Sequence, residues 1–123
     1  MNQESVVVQT QNVRPQVRKN ICLDTQQECL EAARHCMEMG GEYVADERVR
    51  LFLDSAALCH TMMDTVCRAT WLHAHATAAC AAACAKAVIA CEHFPHDKHL
   101  RHCAKLLRQC LSYCNEVNPV TVA

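Results

Sequence analysis

The sequence predicts an all-α protein, an antiparallel up-down-up-down four-helix bundle with a short mobile N-terminal tail. Two observations carry that prediction. The chain has only two glycines and three prolines in 123 residues, so little in it interrupts long helices. Its eleven cysteines recur at helical spacings, and the last six form a mirror. Cys80, Cys84 and Cys91 are spaced 4 then 7, while Cys103, Cys110 and Cys114 are spaced 7 then 4. Each mirrored pair (91 with 103, 84 with 110, 80 with 114) has its midpoint at position 97. Spacings of 4, 7 and 11 return to one face of a helix. Two antiparallel helices turning at Asp97 would therefore meet thiol to thiol, level by level.

Residues 1–12 are polar and aperiodic and read as a flexible tail; the bundle is expected over 13–117, with a C-terminal tail at 118–123. Pro15 suits the first turn of a helix. From it Val17, Ile21, Cys22, Cys29, Leu30, Ala33, Cys36 and Met37 recur at helical spacing, and Gly40-Gly41 supplies a C-terminal stop. A second helix is expected from about Tyr43–Asp46, with Asp46 and Glu47 favourable in its first turn. Helical sequence then runs on to Phe94, too far for one helix of a compact domain. A turn is expected near Thr70–Ala76. Pro95 ends the third helix, Asp97 is the expected N-cap of the fourth, and that helix stops near Cys114–Val117, before Pro119. Four helices of similar length with short connections form an up-down-up-down bundle.

The first hairpin repeats the mirror. Cys36 with Cys59 and Cys29 with Cys67 have midpoints of 47.5 and 48. The turns near 41–46 and 94–98 then share one end of the bundle. On this register Cys36, Cys59, Cys91 and Cys103 form a layer at that end. Cys29, Cys84 and Cys110 form the next, with Met63 and Cys67 nearby, and Cys22, Cys80 and Cys114 lie toward the other end.

Net charge is −1 with both signs mixed, which gives no electrostatic footprint for nucleic acid or a membrane surface. No stretch approaches 18 apolar residues, and Val6-Val7-Val8 is too short for the core of a secretory signal. The expectation is a cytoplasmic protein, where thiols stay reduced.

Rows of inward thiols narrow the chemistry. One or two buried cysteines are ordinary small hydrophobes. Eleven are not, because alanine or valine fills a core without the oxidation hazard. Zinc sites typically use C-x₂₋₄-C knuckles, whereas Cys80/Cys84 and Cys110/Cys114 are C-x₃-C within helices. The C-x₂-C runs of iron–sulfur proteins are absent. Soft Cu(I) selects thiolate and thioether ligands, so multiple Cu(I) ions suit a tube of thiolates. The candidate metal ligands are Cys22, Cys29, Cys36, Cys59, Cys67, Cys80, Cys84, Cys91, Cys103, Cys110, Cys114 and Met63, the last at i+4 from Cys59. His35, His93, His96, His99 and His102, with Met37, Met39 and Met62, are candidates for a mouth that captures the metal. The bland alternatives are a solvated histidine-rich loop and methionines that only pack. His73 and His75 are expected at the opposite end.

The second hairpin, Cys80-x₃-Cys84-x₆-Cys91-Glu92-His93 through His102-Cys103-x₆-Cys110-x₃-Cys114, resembles the bacterial copper-storage proteins, which are cysteine-rich four-helix bundles. The likeness extends over about residues 15–116. It implies cytosolic storage of multiple Cu(I) ions, a homotetramer of bundles, and loading through an open end bearing histidine and methionine. A copper chaperone is a candidate partner. The chain departs from the denser members at Thr25 or Gln26, Ala32 or Ala33, Ala87 and Leu107, where further cysteines would stand. Such a gap would divide the thiols into two copper clusters and lower capacity to about 8–11 Cu(I) per chain.

Two other classes compete with this reading. A disulfide-stapled structural or interaction module would use the C-x₁₀-C pairs Cys80/Cys91 and Cys103/Cys114, and a lower-capacity zinc or copper protein would use fewer thiols. An enzyme is not expected: the Glu-x-x-His pairs of di-iron bundles are missing, and the regular rows give no cysteine a special setting.

Overall fold

The computed structural model describes the backbone of residues 3–68 and 70–117, and the side chains of residues 17, 19–68 and 70–116. Four α-helices follow in order: α1 Gln3–Met39, α2 Arg48–Thr65, α3 Trp71–Glu92 and α4 Lys98–Val117. A 3-10 segment, Gly41–Glu47, joins α1 to α2. Both α1 and α3 pack against α2 and α4. The four helices therefore close a ring of neighbours, the adjacency of a four-helix bundle, and the up-down-up-down order fits it.

α1 begins at Gln3, not near Pro15, so residues 3–12 are helical where the sequence reading places a tail. No glycine or proline precedes Pro15, and extending a helix costs far less than nucleating one. The expected C-terminal tail at 118–123 lies outside the described residues. α1 ends at the expected glycines. The Gly40 N–H donates to the Cys36 carbonyl at 3.0 Å, and Gly40 and Gly41 take positive φ of 68° and 56°, which a side chain would strain.

The second helix starts later than expected. Asp46 and Glu47 do not form its first turn; both have positive φ, 56° and 59°. The buried Arg48 organises this segment. Its guanidinium donates to the carbonyls of Glu42 and Ala45, approaches Asp46 at 3.5 Å, and lies 5.0 Å from the Phe94 ring centroid. Carbonyls satisfied by one arginine need no helical ladder, so the chain makes a wide connection instead of a tight turn.

α2 stops at Thr65 and α3 begins at Trp71, a few residues ahead of the turn expected near Thr70–Ala76. The Arg68 N–H closes this turn on the Thr65 carbonyl at 3.0 Å. The Thr65 hydroxyl lies 2.8 Å from His73 Nδ1 and ties the two helices together. The last turn is as expected: Asp97 caps α4, its Oδ1 accepting the Leu100 N–H at 3.0 Å.

The core is narrow and made of small residues. Ten of the eleven cysteines are buried with Ala32, Ala33, Ala56, Ala87 and Ala104, and Phe52, Leu100 and Leu107 are the main bulky fillers. α3 is long and apolar enough to cross a membrane by length and composition alone, contrary to the sequence reading. Alanine and cysteine make it so, and its cysteines face the bundle core. Phe52 is fully buried, so Phe52→Ala is expected to cost about 3–5 kcal/mol. Denaturant unfolding of the reduced protein measures this.

Candidate metal centre

The buried thiols form two sets. In the inner set, Cys59 from α2, Cys80 and Cys84 from α3 and Cys110 from α4 hold their sulfurs within 4.8 Å of one another. Cys59 Sγ lies 3.8 Å from Cys110 Sγ and 3.9 Å from Cys80 Sγ, and Cys80 Sγ lies 4.0 Å from Cys110 Sγ. Cys22 and Cys114 join the same cluster through Cys110. The Cys114 thiol also donates to Met62 Sδ at 3.5 Å. Six thiols and one thioether from all four helices thus meet in one dry volume.

Cys110 is the hub. Hydrogen bonds from Cys114, Cys22, Cys59 and Cys80 pull its thiol down in pKa, against the opposing effect of burial. The neighbours move the other way. Hydrogen bonding to Cys110 pushes up Cys59, Cys22, Cys80, Cys84 and Cys114, and burial adds to it. Cys110 thus stands at the centre of a buried set of mutually hydrogen-bonded thiols. A bound soft cation would take the place of thiol protons in such a set.

The outer set lies toward the 94–97 turn. Cys103 is pushed up by hydrogen bonds to Cys29 and Cys91, with burial adding. Cys36 is pushed up to about 11 by burial and by the negative charges of Cys91 and Asp97, with Arg48 opposing. A layer without thiols separates the sets. Thr25 lies between Cys22 and Cys29, Ala87 between Cys84 and Cys91, and Leu107 between Cys103 and Cys110. Ser55 stands one turn before Cys59, and all four residues are fully buried. The Thr25 hydroxyl donates to the Leu106 carbonyl and the Ser55 hydroxyl to the Leu51 carbonyl, so neither hydroxyl faces the axis uncommitted.

Three expected placements change. Cys59 belongs to the inner set, not to a layer with Cys36, Cys91 and Cys103. The 3-10 segment is the reason: Cys36 is three residues from the end of α1, while Cys59 is eleven residues into α2. At 1.5 Å per residue the two differ in depth by about 12 Å. Cys67 is exposed, because α2 has ended before it. Met62, expected at the mouth, is the buried methionine beside the inner thiols, and Met63 is only partly buried. A one-residue step turns a helical side chain by about 100°, so adjacent methionines cannot both face the core, and α2 presents Met62.

A hydrogen-bonded knot closes the end of the bundle expected to be the mouth. Asp97 Oδ2 lies 2.7 Å from His35 Nε2 and accepts the Tyr43 hydroxyl at 2.8 Å. Tyr43 stacks on Phe94 at 4.0 Å, and the His99 ring lies 4.5 Å from that of His35. Burial opposes the Asp97 charge, yet hydrogen bonds from His35, the Leu100 N–H and Tyr43 outweigh it and hold the carboxyl down at about 2. His93 and His96 line a hollow with Tyr43, Phe94, Pro95 and Asp97. His102 points away, 3.6 Å from Glu28, and Met37 and Met39 are exposed, Met37 in a different groove beside Val44 and Arg50. His73 is buried at the far end and His75 is exposed there, 5.7 Å from the Trp71 ring. Sequence reasoning misses the roles of Tyr43 and Arg48, since no spacing rule marks a residue that acts across the fold.

Comparison with known families decides what the thiols serve. The family model described as copper storage protein (Csp) matches residues 11–119. The chain belongs to this family. Neither a curated protein nor a solved structure matches it significantly. A copper storage protein has a non-enzymatic task, and a thiol-lined axis meets it: the function is to store copper, and the buried four-cysteine cluster is suited to Cu(I).

In this copper storage protein the knot at the mouth has a pH signature. Asp97 is depressed from an ordinary 3.8 to about 2. Its contribution to stability is therefore present above the unfolded value and lost as pH falls through the folded one. The stability difference between the native protein and Asp97→Asn is expected to vanish between about pH 4 and pH 2. Urea titrations of the reduced, copper-free proteins across that range check it.

Proposed function

We propose that the protein holds about ten Cu(I) ions per chain in two thiolate clusters, within a reducing cytosol. The observation that carries this reading is the division of ten buried thiols by a thiol-free layer. Cys22, Cys59, Cys80, Cys84, Cys110 and Cys114, with Met62, supply the inner cluster; Cys29, Cys36, Cys91 and Cys103 supply the outer one. The count assumes that each thiolate bridges two ions and each ion takes two sulfurs. Every cation displaces a thiol proton, so uptake releases acid. His35 and His99, with His93 and His96, capture copper at the mouth, and a copper chaperone is the natural donor. Met37 and Met39 sit too far out to be more than a first contact. The exposed Trp71 and Ile89 on the outer side of α3 offer apolar surface for assembly into a homotetramer.

A second reading has one specific support. A zinc tetrahedron with bonds of about 2.3 Å has edges of about 3.8 Å, close to the 3.8–4.0 Å contacts of Cys59, Cys80 and Cys110. Zinc would fill that cage once and leave the other thiols unused.

Titrating the reduced protein with Cu(I) against a competing chelator separates the two. Several tightly held ions per chain are expected; one ion, or none, sinks the storage stoichiometry. Cys110→Ser is expected to lower capacity by at least two ions, because the hub bridges its neighbours. Cys67→Ala is expected to leave capacity unchanged. Equal losses in the two variants would remove the assignment of the inner cluster.

A further inference from the structure

A second hollow lies beside the outer thiols. A cavity of about 300 Å³ opens between the end of α3 and the start of α4, walled by Cys91, Glu92, Pro95, Arg101, Ala104 and Arg108. Pro95 also lines the histidine hollow at the mouth, so the two open on either side of it. The walls of the side cavity include the buried Cys91 but not His35, Tyr43 or Asp97. Its charge is uneven. Arg108 is committed to Glu92 at 2.8 Å. Arg101 is exposed, and among the described residues no carboxylate forms an ion pair with it. One guanidinium therefore remains free to fork onto a carboxylate, beside a wall that contains a thiol.

The volume lies at the small-ligand end of binding cavities, too small for a folded copper carrier. We propose that this cavity docks a low-molecular-weight thiol bearing carboxylates, and that copper bound to such a thiol passes from it to Cys91. This rests on the copper-storage reading and adds a donor class and a second route to it. The step is a ligand exchange without redox change. The bond from Cu(I) to one donor sulfur breaks, a bond from Cu(I) to Cys91 Sγ forms, and the Cys91 proton leaves on the released donor thiol. A bis-thiolate complex carries one negative charge at copper besides its carboxylates, which suits the arginine rim. Once on Cys91 the ion lies among Cys29, Cys36 and Cys103.

The test compares two donors on the full-length reduced protein. Cu(I) is supplied as its complex with glutathione, which has carboxylates, or with 2-mercaptoethanol, which has none. Uptake is followed by the ultraviolet absorption of the copper–thiolate bonds. In Arg101→Ala, loading from glutathione is expected to slow about threefold to tenfold at low ionic strength, with less effect in high salt. Loading from 2-mercaptoethanol and the final copper content should match the native protein, and Arg101→Lys should recover part of the rate. Equal rates from glutathione in Arg101→Ala and the native protein, or equal slowing with both donors, overturn the proposal. A probe without a free thiol separates docking from transfer. S-methylglutathione should shift the amide signals of residues 91–108 in the copper-free protein, and no shift there overturns the docking. If neither donor loads the native protein, it is the storage reading that has failed.

Discussion

Cys110 can touch Cys59, Cys80 and Cys114 only because three helices approach closely enough for short side chains to meet on the axis, and much else follows from that approach. Alanines at 32, 33, 56, 83, 87 and 104 are buried around the thiols. They let the helices approach closely, and sulfurs stand 3.8–4.0 Å from one another. Bulk appears where thiols are missing, at Phe52, Leu100 and Leu107. The same small cross-section that admits sulfur contact leaves little apolar area per residue, which is why single bulky fillers should matter so much to stability.

Burying thiols together creates an electrostatic tension that a bundle of ordinary hydrophobes does not have. Neighbouring thiolates repel, and burial penalises each of them. In the inner set, hydrogen bonding among the thiols pulls Cys110 down and pushes its neighbours up. On the proposed reading, a cation shared between sulfurs would cancel their charge without solvent.

At the other end, polar side chains seal what the thiols open. His35 from α1, Tyr43 from the 3-10 segment and the N-cap of α4 converge on Asp97. One carboxylate caps a helix and pins two other segments over Cys36 and Cys91. The side cavity near Arg101 lies outside this knot.

The sequence by itself determined the helical class, the α3–α4 hairpin with its turn at Asp97, and the thiol-lined axis. These rest on local rules: a 3.6-residue period, Pro95 as a breaker, Asp97 as a cap, and a mirror about one tight turn. The family resemblance located the missing thiols at Thr25 or Gln26, Ala32 or Ala33, Ala87 and Leu107, and the structure places Thr25, Ala87 and Leu107 fully buried in the core. The tertiary structure decided what depends on distant partners. Arg48 holds the 41–47 segment open, which delays α2 and carries Cys59 down into the inner set. The early end of α2 exposes Cys67, and α2 presents Met62 to the core in place of Met63. A mirror argument assumes a tight, symmetric turn. It held where proline and a capped helix made one, and failed where a buried arginine stretched the connection.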